Sequence, residues 1–330
     1  MASERHRIAI IGLGQIGASI GMDIRGSFKG VDVIGHDKDP ETAGLARRRG
    51  AVDEVAYTLP GAVEDAAIVI VAVPVTAVRE VLTVITPNLS DGAIVTDTAS
   101  TKVTVLEWAE EILPQSVDFI GGHPMAGVET PGVEGAQTGL FQSATWALIP
   151  LARAKPASID TIVNLVRTMG GEPYFADPVE HDSLVAAISH LPIALSINLM
   201  RTVSASPSWR EMARMAAGSF RDVSRLASGA VDMHNAIFAT NRDFVLHWID
   251  SYTAQLQELR ALIEQGGDTL REGLQEAYDA RDEWLRGRVG ETDQHRAYDE
   301  IPTASESALS VFGGDRLARL ASRFRRGPRN

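Results

Sequence analysis

Between residues 7 and 177, short runs rich in β-branched side chains alternate with stretches of helical character. Such alternation is typical of parallel strands joined by crossover helices, because two parallel neighbours need a long connection between them. One helix is bounded in detail, since Asp39 suits an N-cap, Pro40 the first helical position and Gly50 the residue beyond the end. The predicted strands are 7–12, 31–36, 67–73, 92–97, 117–120, 145–149 and 172–176. This half of the chain is therefore predicted to be an α/β domain built on a parallel sheet.

A glycine-rich loop lies between the first predicted strand and the helix that follows it. The loop consists of Gly12, Leu13, Gly14, Gln15, Ile16 and Gly17. In this context the first glycine permits a tight turn, the second lets the backbone approach a pyrophosphate, and the third allows close packing of helix on strand. The helix N-terminus then faces two negative phosphates. The loop predicts a Rossmann-type dinucleotide site, and glycines that serve only a tight turn are the alternative.

Two segments at the ends of predicted strands favour NAD as the dinucleotide. Asp37 follows Gly17 by twenty residues, where a carboxylate can accept hydrogen bonds from both ribose hydroxyls and repels the 2′-phosphate of NADP. Val73 and Pro74 end another strand, where small residues leave room for the nicotinamide half. A core strand with a turn proline is the alternative for these two residues. We therefore expect NAD as the cofactor, with NADP disfavoured.

Beyond Asp177 the strand-like runs stop and long helical stretches take over. Residues 177–180 resemble a capping box that opens a helix over 178–203, which Pro192 should kink. This helix is apolar on almost every side, and such a helix must be buried on every side. A small second domain supplies few layers to cover it, so we expect a homodimer. Further helices are predicted at 207–216, 219–228, 230–265 and 270–287.

The predicted domain boundaries follow this change of character. Residues 1–177 form the dinucleotide-binding domain, residues 178–300 an all-α substrate and dimerisation domain, and residues 301–330 a basic C-terminal tail. The tail holds six Arg against one Asp and one Glu, a net charge of +4. Its apolar positions predict a short amphipathic helix that docks on the acidic body of the protein, and an anionic partner is the alternative. These positions are Leu317, Leu320 and Phe324.

Composition excludes several classes of function. The chain has no cysteine, which excludes disulfides, thiolate metal sites and a cysteine nucleophile, and favours a reducing cytoplasm. A net charge of −12 disfavours general binding to nucleic acid or anionic membranes. We find no signal peptide and no apolar run near the roughly 20 residues that span a bilayer. The eight histidines do not gather with carboxylates at metal-ligand spacing, so no metal is expected.

Two polar segments, residues 96–102 and 121–127, follow predicted strands at the edge where open α/β sheets bind ligands. His123 lies between glycines and a proline, and an ordinary pKa of about 6.5 suits a general base for a hydroxyl. A loop histidine that caps a backbone group is the alternative. Ser100 could orient a substrate hydroxyl, hydrogen-bond His123 or cap a helix that begins at Thr101. Lys102 could pair with Asp97, bind a substrate carboxylate or be solvated.

Several motifs follow one another in a specific order along residues 7–290. They are Gly-His-Pro-Met-Ala-Gly at 122–127, Glu129, Gly132, Leu140-Phe141, a strand ending at Pro150, His181-Asp182, Ser189-His190-Leu191-Pro192 and Phe220-Arg221-Asp222-Val223-Ser224-Arg225-Leu226-Ala227. In this arrangement the chain resembles the prephenate/arogenate dehydrogenase family of tyrosine biosynthesis.

The resemblance implies an NAD(P)-dependent oxidative decarboxylation of prephenate or of a related cyclohexadienyl acid such as arogenate. Hydride leaves the ring carbon that bears the 4-hydroxyl, carbon dioxide is lost, and aromatisation of the ring provides the driving force. The resemblance assigns His123 as acceptor of the hydroxyl proton, Ser100 as its orienting partner and Arg225 as a clamp on a substrate carboxylate. A guanidinium group can meet a carboxylate bidentately. A surface ion pair with Asp222 is the alternative for Arg225, and Arg221 is a weaker second candidate.

The helical half departs from the family pattern at two points. Many members continue Ser-His-Leu-Pro with a second histidine that reaches the substrate, where this chain has Ile193. The family usually offers a tryptophan near the position of His234. His190 and His234 are candidate substrate ligands, and a satisfied core histidine is the alternative for His190. The identity of the substrate therefore stays open and includes an amino-substituted analogue.

Two other functions are alternatives to this prediction. A β-hydroxyacid dehydrogenase shares a Rossmann domain followed by helices, but it normally places a catalytic lysine on the long helix after the cofactor domain. Residues 178–200 contain no lysine. A non-enzymatic NAD sensor or interaction protein would leave His123 idle. Formation of NADH from prephenate or arogenate distinguishes an enzyme from a sensor.

Overall fold

The computed structural model describes residues 6–127, 130–287 and 289 of the 330-residue chain. Within these ranges the strands are β1 (His6–Ile11), β2 (Val31–His36), β3 (Glu54–Val55), β4 (Ala66–Val71), β5 (Ile94–Asp97), β6 (Asp118–Pro124), β7 (Thr145–Pro150) and β8 (Glu172–Phe175). They form one sheet in the order β3-β2-β1-β4-β5-β6-β7-β8. The helices between them are α1 (Gln15–Ser27), α2 (Pro40–Arg48), α3 (Leu59–Val63), α4 (Val75–Ile85), α5 (Val103–Ile112) and α6 (Pro156–Thr168).

Both faces of the sheet are covered, as the α/β prediction requires. Ile8 and Ile10 of β1 belong to one apolar cluster, which α1, α2 and α6 complete. Ala9 and Ile11 point to the opposite cluster, which α3, α4 and α5 complete. This alternation follows from the two-residue period of a strand. The Rossmann-type fold predicted from the sequence is confirmed.

The direction of the last two strands differs from the prediction. β1 to β6 run parallel, whereas β7 pairs with β6 in the antiparallel sense and β8 lies parallel to β7. The all-parallel prediction is therefore wrong for β7 and β8. In its described part, the connection from β6 to β7 holds only a short 3-10 turn, Val133–Gly135. Without a crossover helix the chain re-enters the sheet at the edge where β6 ends.

β6 is also longer than predicted, and this changes the setting of His123. The strand was expected at 117–120, but it continues to Pro124, and His123 lies opposite Ala147 of β7. β6 approaches β5 closely here, because a Cβ built on Gly122 would lie 2.5 Å from the carbonyl oxygen of Asp97. His123 is therefore held by a strand ladder at the carboxyl end of β6 and not by a loop.

The helical half begins as predicted but divides differently. Its helices are α7 (Pro178–Val185), α8 (Leu191–Ser204), α9 (Trp209–Met215), α10 (Gly218–Ser224), α11 (Val231–Thr240), α12 (Arg242–Gln265) and α13 (Gly267–Leu285). A π-helical turn, Ala186–His190, joins α7 to α8 immediately before Pro192, where a distortion was predicted. The helix predicted at 230–265 is interrupted at Asn241, whose amide group donates to the carbonyl oxygen of Asp182 at 2.8 Å. That contact favours a break at Asn241 over a continuous helix.

The chain divides into two compact units, residues 1–242 and 243–330. The first unit contains the sheet and α1 to α11, because α7 and α11 pack on helices of the sheet layer. The described part of the second unit consists of the remainder of α12 and α13. The domain boundary at 177/178 stays a prediction. The predicted tail helix and Glu129 lie outside the described residues.

The segment from α7 to α8 is a continuous helix of 27 residues, Pro178–Ser204, with a mean hydropathy of 1.6 over its most apolar window. Its length and composition would allow it to cross a membrane, a test that core helices of soluble proteins also pass. The sequence criterion for such helices therefore missed this segment. Only 28% of that window is buried within the chain, and Ile188 is 73% exposed. A second apolar surface is needed to cover it.

We predict that a second copy of the chain covers this helix. Sedimentation at micromolar concentration should give about twice the chain mass of 35.5 kDa. Ile188→Asp should shift the protein towards the monomer, because it places a charge in the contact.

The control is Tyr57→Asp, since Tyr57 is 95% exposed on the surface of the first unit. This variant should keep the dimer mass. A wild-type protein that stays monomeric would contradict the prediction.

Candidate active site

Two glycines of the loop between β1 and α1 are required by steric fit. Gly12 has a φ of +91°, and a Cβ there would lie 2.4 Å from the carbonyl oxygen of Ala72. A Cβ on Gly17 would lie 1.9 Å from the carbonyl oxygen of Gly12. A side chain at Gly12 would collide with the chain after β4, and one at Gly17 would push α1 away from the glycine turn.

Gly14 faces open space instead. A Cβ built there meets no described atom within 4 Å. Gly14 is also the N-cap of α1, which has no side-chain capping bond and no acidic residue in its first turn. The positive dipole end of α1 therefore faces open space that a pyrophosphate can occupy. The loop fits a dinucleotide such as NAD, which when bound supplies an acceptor for hydride.

The other loop residues are fixed by contacts with the protein. Leu13 is buried, and its N–H donates to Asp37 Oδ2 at 2.8 Å. Gln15 Nε2 donates to the carbonyl oxygen of Thr130 at 2.6 Å, and Ile16 packs against the core. Asp37 Oδ1 also accepts from the N–H of Asp39 at 2.9 Å. Asp37 is thus anchored beside the loop, and the second lone pair of each oxygen can accept from a ribose hydroxyl.

Val73 and Pro74 lie beside the same loop. They follow β4, and Pro74 is the N-cap of α4. A Cβ on Gly12 would lie 3.0 Å from Val73 Cγ1, so the end of β4 adjoins the glycine turn. The structure therefore brings together the predicted phosphate loop and the predicted nicotinamide side.

A buried ion pair ties β5 to β6 next to His123. Lys102 is fully buried, pairs with Asp97 and donates to the carbonyl oxygen of Gly122 at 2.7 Å. Asp97 also accepts from the N–H of Gly122 at 3.1 Å. Burial lowers the pKa of Lys102, and the charges of Asp97 and Asp182 oppose that shift. The interpretation of Lys102 as solvated is wrong, because its side chain is buried and pairs with Asp97. Its binding of a substrate carboxylate stays a prediction.

His123 is the first member of a chain of polar contacts. Its Nδ1 lies 2.9 Å from Nε2 of His181, and Nδ1 of His181 lies 2.8 Å from Oδ1 of Asp182. Asp182 in turn accepts from the N–H groups of Lys102 at 2.7 Å and Val103 at 2.9 Å. These two N–H groups lie at the start of α5, where the N-cap residue gives no side-chain hydrogen bond. Asp182 therefore caps α5 from another helix.

Burial lowers the pKa of His123 well below its ordinary value of 6.5. Electrostatic interactions with His181, Lys102 and His190 act in the same direction, because a proton on His123 would place a second positive charge beside any of these groups that is itself protonated. His123 is therefore neutral at physiological pH, as a general base must be. The expectation of a pKa near 6.5 is replaced by a lower one.

Ser100 lies in the loop after β5, at the same edge of the sheet as His123. α5 begins at Val103, and Asp182 accepts its first N–H groups, so the prediction of Ser100 as an N-cap is wrong. No hydrogen bond joins Ser100 to His123 within the described residues, where His181 occupies Nδ1 of His123 instead. An orienting role towards a substrate hydroxyl stays a prediction.

His190 lies in the π-helical turn and is completely buried. Its Nδ1 lies 3.0 Å from Nδ2 of Asn241, which can only donate, so Nε2 carries the hydrogen. This Nε2 is buried and has no hydrogen-bond partner among the described residues. Burial lowers the pKa of His190 to about 4, so the ring is neutral. The alternative of a satisfied core histidine therefore holds for Nδ1, which has a hydrogen-bond partner, and not for Nε2.

The other two candidate substrate ligands lie farther along the helical half. Arg225 is exposed and follows α10 in a 3-10 turn, which Ser196 of α8 anchors by accepting from the N–H of Ala227 at 2.9 Å. His234 is nine-tenths buried, and a Cβ on Gly229 would lie 2.4 Å from its Nε2. Burial lowers the pKa of His234. Their contacts with a substrate stay predictions.

No role was predicted from the sequence for His181, Asp182 or Asn241. The first two were noted only as part of a motif, although two buried polar side chains at the start of an apolar helix are a usable signal. Their partners lie 58 and 80 residues away along the chain. Such contacts leave no local pattern.

We predict that loss of the buried ammonium destabilises the first unit strongly. Lys102→Met should lower the free energy of unfolding by about 3–5 kcal/mol, because Asp97 is left buried without its partner. Denaturant unfolding at one fixed protein concentration measures the change.

The control is Arg79→Met, since Arg79 and its partner Glu111, which lie 2.7 Å apart, are 51% and 59% exposed. An exposed pair of this kind contributes less than about 1 kcal/mol. Equal small losses in both variants would show that the buried pair does not stabilise the sheet.

Comparison with protein families gives two matches to this chain. The model described as "Prephenate dehydrogenase, nucleotide-binding domain" matches residues 20–174. The model described as "Prephenate dehydrogenase, dimerization domain" matches residues 177–276. His123, His190 and Arg225 all fall inside these ranges.

Curated relatives agree with the family matches. The chain is 32% identical to the prephenate dehydrogenase of Bacillus subtilis over 267 residues, which are 80% of this chain and 72% of that protein. It is 33% identical to the cyclohexadienyl dehydrogenase of Zymomonas mobilis over 277 residues, which are 83% of this chain and 94% of that protein.

Solved structures show the same similarity in three dimensions. Arogenate dehydrogenase of Synechocystis has a TM-score of 0.72 and 31% identity, and the match covers 84% of this chain and 99% of that one. Prephenate dehydrogenase of A. aeolicus, solved with hydroxyphenyl propionate and NAD+, has a TM-score of 0.79 and 27% identity. That match covers 86% of this chain and 99% of the other.

The two family models together span most of the chain, and relatives above 30% identity cover about four-fifths of it. These matches agree with the dinucleotide-binding fold, and Asp37 and His123 both lie inside the nucleotide-binding match. They give no support to a β-hydroxyacid dehydrogenase or a non-enzymatic sensor. The chain is an NAD-dependent dehydrogenase and belongs to the prephenate dehydrogenase family.

Proposed function

We propose that the protein catalyses the NAD-dependent oxidative decarboxylation of prephenate or of a related cyclohexadienyl acid such as arogenate. The position of His123 carries this proposal. His123 is a neutral imidazole at the carboxyl end of β6, at the same edge of the sheet as the loop for NAD. A base at this edge can take a hydroxyl proton from a substrate bound next to the cofactor.

Each candidate residue has one task in this reaction. His123 accepts the proton of the 4-hydroxyl at Nε2, and Ser100 orients that hydroxyl. Arg225 binds a carboxylate of the substrate, and His190 offers its Nε2–H as a neutral donor. NAD would accept the hydride that leaves the ring carbon bearing the 4-hydroxyl. Loss of carbon dioxide leaves the electron pair of the broken bond in the ring, which becomes aromatic. The protein therefore needs to orient the substrate and remove one proton, while aromatisation drives the reaction.

The helical half sets which cyclohexadienyl acid fits. Ile193 is buried and apolar, so it cannot give the substrate the hydrogen bond that a histidine would give. His234 is packed against Gly229. His190 remains as a polar group close to Ile193, on the helical segment that both residues share. These changes affect the contacts with the substrate side chain and leave His123 and the cofactor loop intact. Prephenate, arogenate and an amino-substituted analogue are therefore to be compared.

A homodimer in the cytoplasm completes the proposal. The match to a dimerization domain and the open apolar surface of the helix Pro178–Ser204 support assembly through the helical half. A chain without cysteine suits a reducing compartment.

The proposed function is tested by the absorbance of NADH in the presence of NAD and each candidate acid. Prephenate, arogenate and an amino-substituted analogue are supplied separately, and the aromatic product and carbon dioxide are measured. We expect one NADH and one carbon dioxide for each aromatic product. No turnover with any of these acids would refute the proposal.

We predict that His123→Asn cuts the turnover number by about 100- to 10,000-fold, because a general base acts in the transition state. The Michaelis constant for the substrate should change much less. Steady-state kinetics of both proteins give the two constants. The control is His6→Asn, since His6 is exposed at the opposite end of β1, and it should retain wild-type turnover.

The pH profile of the wild-type protein checks the same assignment. Protonation removes the lone pair of His123, so turnover falls as the pH drops through the pKa of His123 in the folded protein. Because that pKa is well below 6.5, turnover should stay level from pH 7 to 6.5 and fall only at lower pH. Retained turnover in His123→Asn would mean that another group takes the proton.

We predict that Arg225→Ala raises the Michaelis constant for the substrate by roughly 10- to 150-fold, as expected for a lost charge-assisted hydrogen bond of about 1.5–3 kcal/mol. The dissociation constant for NAD should stay within about twofold of the wild-type value, since Arg225 has no task at the cofactor. Arg221→Ala is the matched control from the same motif and should have little effect. An effect of Arg225→Ala below about a few-fold would return Arg225 to a surface ion pair.

We predict that Asp37→Ser raises the Michaelis constant for NAD and improves the use of NADP, because the variant removes both the ribose acceptor and the charge that repels a 2′-phosphate. Asp32→Ser, at the other end of β2, is the control. Kinetics with both cofactors measure the change. Equal losses with NAD and NADP would show that Asp37 only anchors the N–H of Leu13.

A further inference from the structure

The polar chain from His123 to Asp182 restricts where the hydrogens can lie. Asp182 Oδ1 accepts from the N–H of Lys102, and its other oxygen accepts from the N–H of Val103. An ionised carboxylate can only accept, so Nδ1 of His181 must donate to it. In a neutral His181 the other nitrogen, Nε2, therefore carries the lone pair.

This arrangement determines the tautomer of His123. The lone pair on Nε2 of His181 faces Nδ1 of His123 at 2.9 Å, so Nδ1 of His123 must carry the hydrogen. The remaining nitrogen of His123, Nε2, then holds the lone pair. Only this tautomer can accept a proton at Nε2.

We propose that His181 and Asp182 are positioning residues that hold His123 as the Nδ1–H tautomer, with Nε2 prepared to accept the hydroxyl proton of the substrate. The inference rests on the proposed function, since it needs a reaction in which His123 takes a proton. The proton moves from the substrate oxygen to Nε2 of His123. Nδ1 keeps its hydrogen and its bond to His181, so the imidazolium that forms is still hydrogen-bonded.

Burial makes this control effective. His181 is 3% and Asp182 1% exposed, so water does not compete for their hydrogen bonds. The two rings meet edge to face, with centroids 5.1 Å apart and planes at 69°. α7 carries both residues and is fixed by Asn241, which donates to the carbonyl oxygen of Asp182. His123 therefore has one orientation as well as one tautomer.

A purely structural role for His181 makes a different prediction. If the ring only fills space between α7 and β6, an apolar side chain of similar size should replace it well. If the acceptor at Nε2 matters, a side chain that keeps an acceptor there should replace it better. Phenylalanine and glutamine separate these cases, because the oxygen of a glutamine amide can reach the position of Nε2.

The test is a kinetic comparison of His181→Phe with His181→Gln. His181→Phe should lower the turnover number roughly 10- to 100-fold, which is less than the loss expected when His123 itself is replaced. The binding of substrate and NAD should stay nearly unchanged. His181→Gln should recover most of that loss. Equal turnover in the two variants, or higher turnover in His181→Phe, would overturn the proposal.

A double-mutant cycle tests the part played by Asp182. Asp182→Asn should lower turnover in the wild-type background but add little in the His181→Phe background, where no tautomer remains to be fixed. Thermal unfolding of each variant shows that the compared proteins are folded. Independent, multiplicative losses would show that Asp182 acts only as the cap of α5 and would overturn its positioning role.

The outcomes keep this inference distinct from the proposed function. If the wild-type protein turns over none of the candidate acids, the proposed function fails. If it is active and His181→Phe keeps the wild-type turnover, the positioning role fails while the proposed function stands.

Discussion

The geometry of the site depends on the hydrogen bonds of the Asp182 carboxylate. This carboxylate accepts hydrogen bonds from the first N–H groups of α5 and from the imidazole of His181. It therefore joins α7 to the loop after β5. The buried pair of Lys102 and Asp97 then ties that loop to β6. The contacts of Lys102 and Asp97 with Gly122 fix the backbone next to His123, and the contact with His181 fixes its side chain. A base held this way loses little orientational freedom when the substrate binds.

Burial gives the two central histidines complementary properties. It lowers the pKa of both His123 and His190, so both rings are neutral at physiological pH. The contact with His181 leaves a lone pair on Nε2 of His123, whereas the contact with Asn241 leaves a hydrogen on Nε2 of His190. One neutral acceptor and one neutral donor result from the same residue type, because different partners occupy Nδ1 in each ring.

Features that depend on neighbouring residues could be predicted from the sequence, and features that depend on distant contacts could not. The glycine loop, the position of Asp37 and the helix over 178–203 have local signatures. The antiparallel β7 depends on a connection that, in its described part, holds a short 3-10 turn in place of a crossover helix, and the extension of β6 through His123 depends on pairing with β7. The burial of Lys102 and the contact of His181 with His123 join residues from separate elements. Resemblance to a family supplied the reaction, and only the structure showed what holds the base.

The most direct measurement is the protonation of each imidazole nitrogen of His123 in the folded protein. Long-range proton–nitrogen correlation spectra of histidine-labelled protein near pH 7 distinguish nitrogens that carry a hydrogen from those that carry a lone pair. Comparison with His123→Asn assigns the signals. We expect hydrogen on Nδ1 and a lone pair on Nε2 of His123. Hydrogen on Nε2, or an average of the two tautomers, would contradict the view that His181 and Asp182 prepare His123 as the base.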